Sequence, residues 1–222
     1  MTKLTLYGYY RSSCSARLRI ALDLKGIDYT SIYVNIKDDE HLEQDYTSIN
    51  PSRSVPTLLI EESSSKWSIT QSVSALEYLE DSGYSGFLLL PKDIRSRAAV
   101  RSLVNIIASD TQPPTNMRIL LHAASFGADS QEWANFFTDS GLKAFEGVAR
   151  ETAGKYCVGD TISLADVCLI PALWNAERFK VPLDQFPTIS RVYEALMQHP
   201  SFVKSHWQRQ PDCPKELAGY TA

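Results

Sequence analysis

The chain has 222 residues, of which 44% are hydrophobic, and its formal net charge is −4 at pH 7. This length allows one domain or two small ones, with enough apolar residues for a sizeable core. The acidic balance and the lack of a basic block argue against nucleic acid or a membrane surface as a partner. Because no apolar stretch reaches a membrane-spanning length and no secretory signal pattern opens the chain, we expect a soluble cytoplasmic protein.

The first 82 residues alternate between strand and helix patterns. We predict strands at 3–7 and 29–35, a hairpin at 57–69, and helices at 13–25, at about 38–48 and from Ser72 onward. Gly26 is expected to end the first helix. The order βαβαββα, with a helix joining the first two strands, predicts a small mixed sheet.

The rest of the chain is predicted to be helical. Residues 83–93 lack periodicity and contain Ser, Gly and Pro, so we interpret them as a linker between domains 1–82 and 94–222. Within the second domain, Ser163 and Asp166 have the spacing of a capping box. We therefore favour a structural role for Asp166, at the start of a buried helix, over a catalytic one.

The four cysteines give no sign of a disulfide framework or a metal site. None belongs to a Cys-x-x-Cys pair, and none lies near a histidine at a metal-binding spacing. We expect reduced thiols and no bound metal. Among the four, only Cys14 lies where a thiol would be activated.

Residues 11–19 read Arg-Ser-Ser-Cys-Ser-Ala-Arg-Leu-Arg, between the first predicted strand and the first predicted helix. Ser12, Ser13 and Cys14 thus fall at a helix N-terminus, where free N–H groups and the positive end of the helix dipole gather. Such a place stabilises an anion, and a thiolate above all. On this pattern alone, a serine N-cap followed by a small core cysteine is an equally good interpretation.

The serine-cysteine turn resembles the signature of the zeta class of cytosolic glutathione transferases. The signature here is Ser12-Ser13-Cys14-Ser15 followed by Arg17 and Arg19. Further matching segments run the length of the chain: Leu24–Tyr29, Asn50-Pro51, Val55–Thr57, Gln71-Ser72, Gln112-Pro113, Tyr156–Asp160, Asn175–Val181, Pro187–Ser190 and Gln210–Asp212. The resemblance implies an α/β thioredoxin-like N-terminal domain that binds glutathione, an all-α C-terminal domain that binds substrate, and a homodimer.

The resemblance also implies which residues bind glutathione: Ser12, Ser13, Cys14, Ser15, Arg17, His41, Val55, Pro56, Gln71, Ser72, Gln112 and Asn116. A cis bond before Pro56 would turn the Val55 backbone outward to pair with the tripeptide; a trans proline at a strand start is the alternative. Ser72 would open a helix whose N–H groups hold the γ-glutamyl carboxylate, unless it is only an N-cap. His41 would reach the glycyl end, unless it is a solvated helix residue.

The catalytic residues implied in the same way are Ser12, Ser13, Cys14 and Arg178. Ser12 is expected to donate a hydrogen bond to the glutathione sulfur, which lowers the pKa of that thiol. Arg178 is expected to bind a substrate carboxylate, with an ion pair to Glu177 or to another local acid as the alternative.

Five residues lie near the predicted site or early in the helical domain. Arg11 flanks the serine turn and either helps to bind the substrate or is a surface charge. Gln112 and Asn116 are expected to contact glutathione or substrate, whereas Met117 and Leu121 are expected in the core.

The activity implied is glutathione-dependent cis–trans isomerisation of maleylacetoacetate, a small dicarboxylate enone, to fumarylacetoacetate in tyrosine and phenylalanine catabolism. Conjugation or dehalogenation of α-halo acids and other electrophiles is the alternative within the family. A thiol–disulfide reductase that uses Cys14 and a non-enzymatic binding module are the alternatives outside it.

Three departures from the family pattern bear on the substrate range. Ala16 stands where an aromatic residue is usual, Thr115 stands where glutamine is expected, and the 61–67 hairpin is longer than usual. The first two would widen or re-line the substrate pocket.

Overall fold

The computed structural model describes residues 2–219, which fall into two units: residues 2–88 with 200–219, and residues 89–199. The first unit contains a four-stranded sheet with helices, and the second is built from helices and loops. The predicted fold class, α/β and then all-α, is confirmed. Within residues 2–219, no helix combines the length and apolar character needed to cross a membrane.

The sheet of the first unit is mixed, as predicted. Its strands are β1 (Lys3–Gly8), β2 (Thr30–Tyr33), β3 (Thr57–Glu61) and β4 (Lys66–Thr70), in the order β2-β1-β3-β4. β1 pairs in parallel with β2 and antiparallel with β3, which forms a hairpin with β4. Because a parallel pair needs a crossover connection, a helix has to follow β1 directly.

The helices that follow these strands are α1 (Ser13–Leu24), α2 (Gln44–Thr47) and α3 (Ser72–Asp81). α1 buries Leu18, Ile20 and Leu22 completely. It ends where the sequence predicts, with Gly26 in the left-handed region at φ +62° just beyond its last turn.

The single helix predicted at about 38–48 is wrong. The segment instead forms a 3₁₀ turn, Glu40–Leu42, followed by α2. Asp39 is left-handed, with φ 59°, and Glu43 is extended, with φ −67° and ψ 150°. These two conformations interrupt the helix on either side of the 3₁₀ turn.

The helices of the second unit are α4 (Ile94–Asn105), α5 (Met117–Ser125), α6 (Ser130–Thr152), α7 (Leu164–Arg178) and α8 (Pro187–Met197). α4 continues as a π-helical segment, Ile106–Thr111, and then a 3₁₀ turn, Pro113–Thr115. α7 is buried on nearly every side, because its residues are apolar around the whole helix.

The predicted capping box at the start of α7 is confirmed. Asp166 accepts hydrogen bonds from the Ser163 N–H and hydroxyl, each at 2.8 Å, and from the Cys157 N–H at 2.9 Å. Burial raises the pKa of the Asp166 carboxyl and raises that of the Cys157 thiol well above its ordinary value. Asp166 is therefore a buried structural acceptor, as expected.

Two residues expected in the core are not buried. Met117 and Leu121 lie on α5 and are 38% and 65% exposed. α5 has no buried residue at all in the described chain, so its apolar periodicity does not report a core position.

The last helix, α9 (Pro200–Ser205), packs against α1 in the first unit and buries Phe202 there. The sequence assigned these residues to the 94–222 domain, because helical periodicity does not show which unit a short helix packs against. Within the described chain, residues 200–219 group with the N-terminal residues instead.

A buried ion pair links α1 to α3. The Lys25 ammonium lies 2.5 Å from a Glu80 carboxylate oxygen, and both side chains are at most 4% exposed. Lys25 also donates to the Phe87 carbonyl at 2.7 Å. The pair thus joins the end of α1, the end of α3 and the chain that leaves the first unit.

We expect Lys25→Met to lower the free energy of unfolding by about 3–5 kcal/mol, because the change strands a buried carboxylate. The control is Lys204→Met, which removes a largely exposed ion pair with Asp23 and should cost about 0–1 kcal/mol. Urea denaturation measures both values. Equal losses of unfolding free energy in the two variants would show that the burial of the Lys25–Glu80 pair does not matter for stability.

Glu146 of α6 caps the N-terminus of α8. Its carboxylate accepts from the Thr188 N–H at 3.1 Å and the Ile189 N–H at 2.9 Å. Burial alone would raise the pKa of Glu146, but these N–H donors and Arg150 together lower it below 4.5. The unfolded chain therefore binds a proton more readily than the folded one, and this contribution to stability is lost as pH falls through the folded pKa.

We expect Glu146→Gln to destabilise the protein most at pH 7, by about 1–2 kcal/mol, since the ionised acceptor makes the stronger hydrogen bonds. The difference from wild type should shrink as the pH is lowered from 6 to 3, where Glu146 becomes protonated. Urea titrations at several pH values measure it. A difference independent of pH would show that the carboxylate charge has no part in the cap.

Candidate functional site

Ser12 lies at the junction between β1 and α1 and caps the helix. Its Oγ accepts a hydrogen bond from the Ser15 N–H at 3.1 Å, and its backbone is extended, with φ −73° and ψ 116°. The N-cap interpretation is thus confirmed for Ser12. Because Ser12 Oγ is the acceptor in this bond, its hydroxyl hydrogen is not used, and the hydroxyl donates no hydrogen bond among residues 2–219. An N-cap serine here is still able to donate to an anion at the helix terminus.

The other residues of the turn differ in accessibility. Ser13 is buried, whereas Cys14 is partly exposed and is a free thiol. Ser15, predicted to bind glutathione, is fully buried, and its Oγ accepts from the Tyr9 N–H at 3.4 Å. This environment favours a structural role for Ser15, which packs against Gly8 where a Cβ would lie 3.2 Å from it. Ala16, which departs from the family pattern, is also buried.

Arg17 is the most unusual group of the site, because it is a guanidinium only 2% exposed. One of its terminal nitrogens donates to the Ser72 hydroxyl at 3.0 Å, which brings α1 and α3 together. Its Nε and its other terminal nitrogen are buried and have no hydrogen-bond partner among the described residues. A buried cation with unused donors is costly unless an anion completes it.

The start of α3 differs from the expectation that Ser72 is the N-cap. Gln71 occupies the cap position in a left-handed conformation, with φ 74° and ψ 121°, and Ser72 is the first helical residue. Ser72 Oγ therefore lies beside free N–H groups of the first helical turn while it accepts from Arg17.

The Val55–Pro56 peptide bond is cis, as the resemblance implies. Two neighbouring side chains hold this loop: the Tyr46 hydroxyl and the Asn50 amide both donate to the Ser54 carbonyl, at 2.5 and 2.6 Å. Within residues 2–219, neither the N–H nor the C=O of Val55 forms a backbone hydrogen bond. The Val55 backbone is thus available to an extended peptide.

His41 lies in the 3₁₀ turn that precedes α2. Its ring is partly buried, and its Nδ1 is buried with no partner among the described residues. The solvated histidine considered from the sequence does not match this environment. A polar ligand group is a suitable partner for this nitrogen.

Three predicted residues belong to the second unit. Arg178 ends α7, is exposed, and lies with its guanidinium carbon 5.4 Å from the Phe179 ring. Within the described chain it forms no ion pair with Glu177 or with another acid, so the alternative role is not observed. Asn116 is the N-cap of α5 and accepts from the Arg118 N–H at 3.3 Å.

Gln112 has a structural role that the sequence did not suggest. Its carbonyl accepts from the Thr115 hydroxyl at 2.9 Å and closes the 3₁₀ turn after the π-helical segment. The Thr115 hydroxyl is consequently used within its own loop.

Sequence reasoning missed a set of contacts between the C-terminal segment and the serine turn. Asp212 Oδ2 accepts from the Tyr10 N–H at 2.7 Å, across 202 positions of the chain. Buried Arg19, whose pKa is lowered to about 10 mainly by burial, donates to the carbonyls of Tyr9 and Tyr10. Gln210–Asp212 were noted only as part of a family pattern, and no local signal predicts such a distant pair.

The described residues contain no group of three or more His, Cys, Asp or Glu side chains that could hold a metal ion. What the first unit does bring together is a hydroxyl at a helix N-terminus, a buried guanidinium with unused donors and an unpaired backbone edge. All three are complementary to an extended anionic peptide.

Known proteins share this organisation. Residues 11–82 match the family described as "Glutathione S-transferase, N-terminal domain", and residues 119–200 match "Glutathione S-transferase, C-terminal domain". The chain is 50% identical to the maleylacetoacetate isomerase of Emericella nidulans over 221 residues, which cover 97% of this chain and 96% of that protein.

Solved structures agree with these sequence matches. The maleylacetoacetate isomerase of Anaeromyxobacter dehalogenans, crystallised with GSH bound in its active site, superposes with a TM-score of 0.88 at 38% identity and covers 96% of this chain and 99% of that one. A bacterial maleyl pyruvate isomerase of the zeta class superposes with a TM-score of 0.88 at 35% identity, over 95% of this chain and 100% of that one. With its serine turn, its cis-proline loop and these full-length relatives, the chain belongs to the zeta class of the glutathione S-transferases.

Proposed function

We propose that this protein catalyses the glutathione-dependent cis–trans isomerisation of maleylacetoacetate to fumarylacetoacetate, a step of tyrosine and phenylalanine catabolism. The observation that carries the proposal is the 50% identity to a maleylacetoacetate isomerase along 97% of the chain. Conjugation or dehalogenation of other electrophiles remains the alternative activity for the same site.

The residues of the first unit fit glutathione. The Val55 backbone offers a donor and an acceptor to the cysteinyl part of the tripeptide, in the manner of an added strand. Ser72 and the unused donors of Arg17 suit the γ-glutamyl carboxylate. His41 Nδ1 suits the glycyl end. In this proposal Gln71 contributes through its left-handed backbone, which turns the chain into α3.

Bound glutathione supplies a thiolate that adds reversibly to the cis double bond, which then rotates as a single bond before the thiolate leaves. Ser12 donates its hydroxyl hydrogen to the sulfur, and the N-terminus of α1 adds its dipole, so that the thiol pKa is lowered. Ser13 and Cys14 shape the same turn. Arg178 provides a planar donor pair for a substrate carboxylate, and Arg11, next to Ser12, provides a second cation. Gln112 and Asn116 are proposed as further polar contacts.

The remaining proposals concern the setting of the enzyme. Four free cysteines fit a reducing compartment, which supports a cytoplasmic location. We propose a homodimer, typical of the family, and note that Trp67, Phe87 and Leu88 of the first unit are between 40% and 45% exposed. The partner molecule is a small dicarboxylate enone.

The test of the reaction is the isomerisation of maleylacetone, a substrate analogue, followed by absorbance with and without glutathione. We expect turnover that requires glutathione and leaves its concentration unchanged. A matched assay with an α-halo acid measures glutathione consumption. If folded protein does not isomerise maleylacetone but consumes glutathione with the halo acid, the proposal is wrong. The conjugating alternative then replaces it.

Single substitutions in the turn separate the proposed roles. Ser12→Ala should lower kcat on the order of 10²-fold, since it removes a donor to the developing thiolate. Cys14→Ala should lower kcat by less than about 10-fold, because Cys14 only shapes the site. Steady-state kinetics at saturating glutathione measure both. The reverse order, with Cys14→Ala abolishing activity, would favour a reductase that uses Cys14.

A further inference from the structure

Tyr9 and Tyr10 connect β1 to the serine turn, and both side chains are buried. The Tyr9 carbonyl accepts from the Ser12 N–H at 3.1 Å, which closes a turn. Arg19 of α1 donates to the same carbonyl at 3.4 Å and to the Tyr10 carbonyl at 3.2 Å. The Tyr9 N–H donates to the Ser15 hydroxyl at 3.4 Å. Three of the four backbone polar groups of the two tyrosines are therefore paired with the turn and with α1.

The fourth group, the Tyr10 N–H, depends on a side chain from the other end of the chain. It donates to Asp212 Oδ2 at 2.7 Å. Asp212 lies in a turn that is closed by a 3.0 Å hydrogen bond from the Cys213 N–H to the Gln210 carbonyl, and Cys213 is buried against Tyr9 and Tyr10. All of these residues belong to the first unit. Loss of the carboxylate would leave a buried N–H unpaired, which is unfavourable enough to move the loop.

Asp212 and Arg19 hold this loop as a pair of opposite charges. Burial raises the pKa of the Asp212 carboxyl, while the Tyr10 N–H and the Arg19 guanidinium act to lower it. Burial also lowers the pKa of Arg19 to about 10, with Asp212 among the groups that oppose the change, so Arg19 stays protonated at pH 7. Each charge thus favours the ionised form of the other. Between them they bind both the N–H and the C=O of Tyr10.

The position of this loop decides where the Ser12 hydroxyl lies. Ser12 follows Tyr10 by two residues and its N–H is bonded to the Tyr9 carbonyl, so a shift of the loop carries Ser12 with it. We propose that Asp212 is a positioning residue that fixes the loop before the serine turn, so that the Ser12 hydroxyl stabilises the glutathione thiolate. This inference rests on the proposed function, in which Ser12 donates to the sulfur. Asp212 itself contacts neither glutathione nor substrate.

The experiment titrates the thiol of glutathione bound to the protein. The ultraviolet absorbance of the thiolate is followed against pH, and the complex with S-methylglutathione, which has no titratable thiol, is the blank. Calorimetry gives the Kd of glutathione, and maleylacetone kinetics give kcat. A variant that is only less stable would contain less active protein, but the thiol pKa of its bound glutathione would be that of the wild type.

Three substitutions of Asp212 separate its geometry from its charge. Asp212→Asn keeps an oxygen acceptor at the same position, so the thiol pKa should be nearly that of the wild type. Asp212→Glu keeps the charge but lengthens the side chain, and Asp212→Ala removes the acceptor. Both should raise the thiol pKa toward about 8.5 and lower kcat about 10-fold, because Ser12 is displaced. The Kd of glutathione should change little, since the residues that bind the rest of the tripeptide are intact.

Two further variants test whether Asp212 acts through Ser12. In the Ser12→Ala background, Asp212→Ala should raise the thiol pKa no further, because both changes remove the same donor. Gln208→Ala is the matched control. The Gln208 amide donates to the Leu217 carbonyl at 2.8 Å within the same C-terminal segment, so its removal should leave the thiol pKa and kcat at wild-type values.

The proposal is wrong if Asp212→Glu and Asp212→Ala keep the wild-type thiol pKa, or if Ser12→Ala leaves that pKa unchanged. It is also wrong if Asp212→Ala has the same effect with and without Ser12, or if Asp212→Asn loses as much as Asp212→Glu. The contrast between Asp212→Asn and Asp212→Glu keeps the test valid if Asp212→Ala does not fold.

Failure of this inference is distinguishable from failure of the proposed function. Wild-type protein that does not isomerise maleylacetone, while Asp212→Glu still raises the thiol pKa of bound glutathione, would contradict the proposed function alone. Isomerisation by the wild type, with a thiol pKa and kcat that Asp212→Glu does not change, would contradict the positioning role alone.

Discussion

The hydrogen bond from Arg17 to Ser72 is the interaction on which the site of the first unit depends. It joins the N-terminal half of α1 to the first residue of α3, so that the two helices are held together by a buried guanidinium. A cation in that environment is stable only with acceptors around it, and one hydroxyl does not satisfy its donors. The first unit thus contains a buried positive charge with unused N–H donors, and an anionic ligand would accept hydrogen bonds from them.

Three buried charged groups elsewhere in the described chain have hydrogen-bond or ion-pair partners, and they contrast with Arg17. Asp166 accepts three hydrogen bonds at the start of α7, and Glu146 caps α8 with both carboxylate oxygens. Lys25 pairs with the Glu80 carboxylate and donates to the Phe87 carbonyl. These groups stabilise the fold. Arg17 and the Val55 backbone retain unused hydrogen-bonding capacity instead, which is typical of a binding site.

The loops around the site are held by side chains from distant parts of the chain. Tyr46 and Asn50 fix the carbonyl that precedes the cis-proline bond, and Asp212 fixes the loop between β1 and α1. A site of this kind needs rigid supports, since a donor misplaced by an ångström loses most of its effect on the reaction. Asp212 thus supports the loop that leads to Ser12, although the two residues are two hundred positions apart in the chain.

The sequence by itself determined most of the elements and the position of the turn that carries the candidate site. The strand-to-helix turn at Ser12, the hairpin, the capping box at Ser163 and Asp166, and the family signature are all local patterns, and local patterns reflect backbone preferences that short segments carry alone. Only the tertiary structure decided that Ser15 is buried, that Gln71 rather than Ser72 caps α3, and that Leu121 is exposed. It also decided that two nitrogens of the Arg17 guanidinium have no hydrogen-bond partner among the described residues, and that the Arg11 guanidinium lies over the Trp207 ring. The physical reason is that burial and pairing depend on residues far apart in the chain, which become neighbours only when the elements pack.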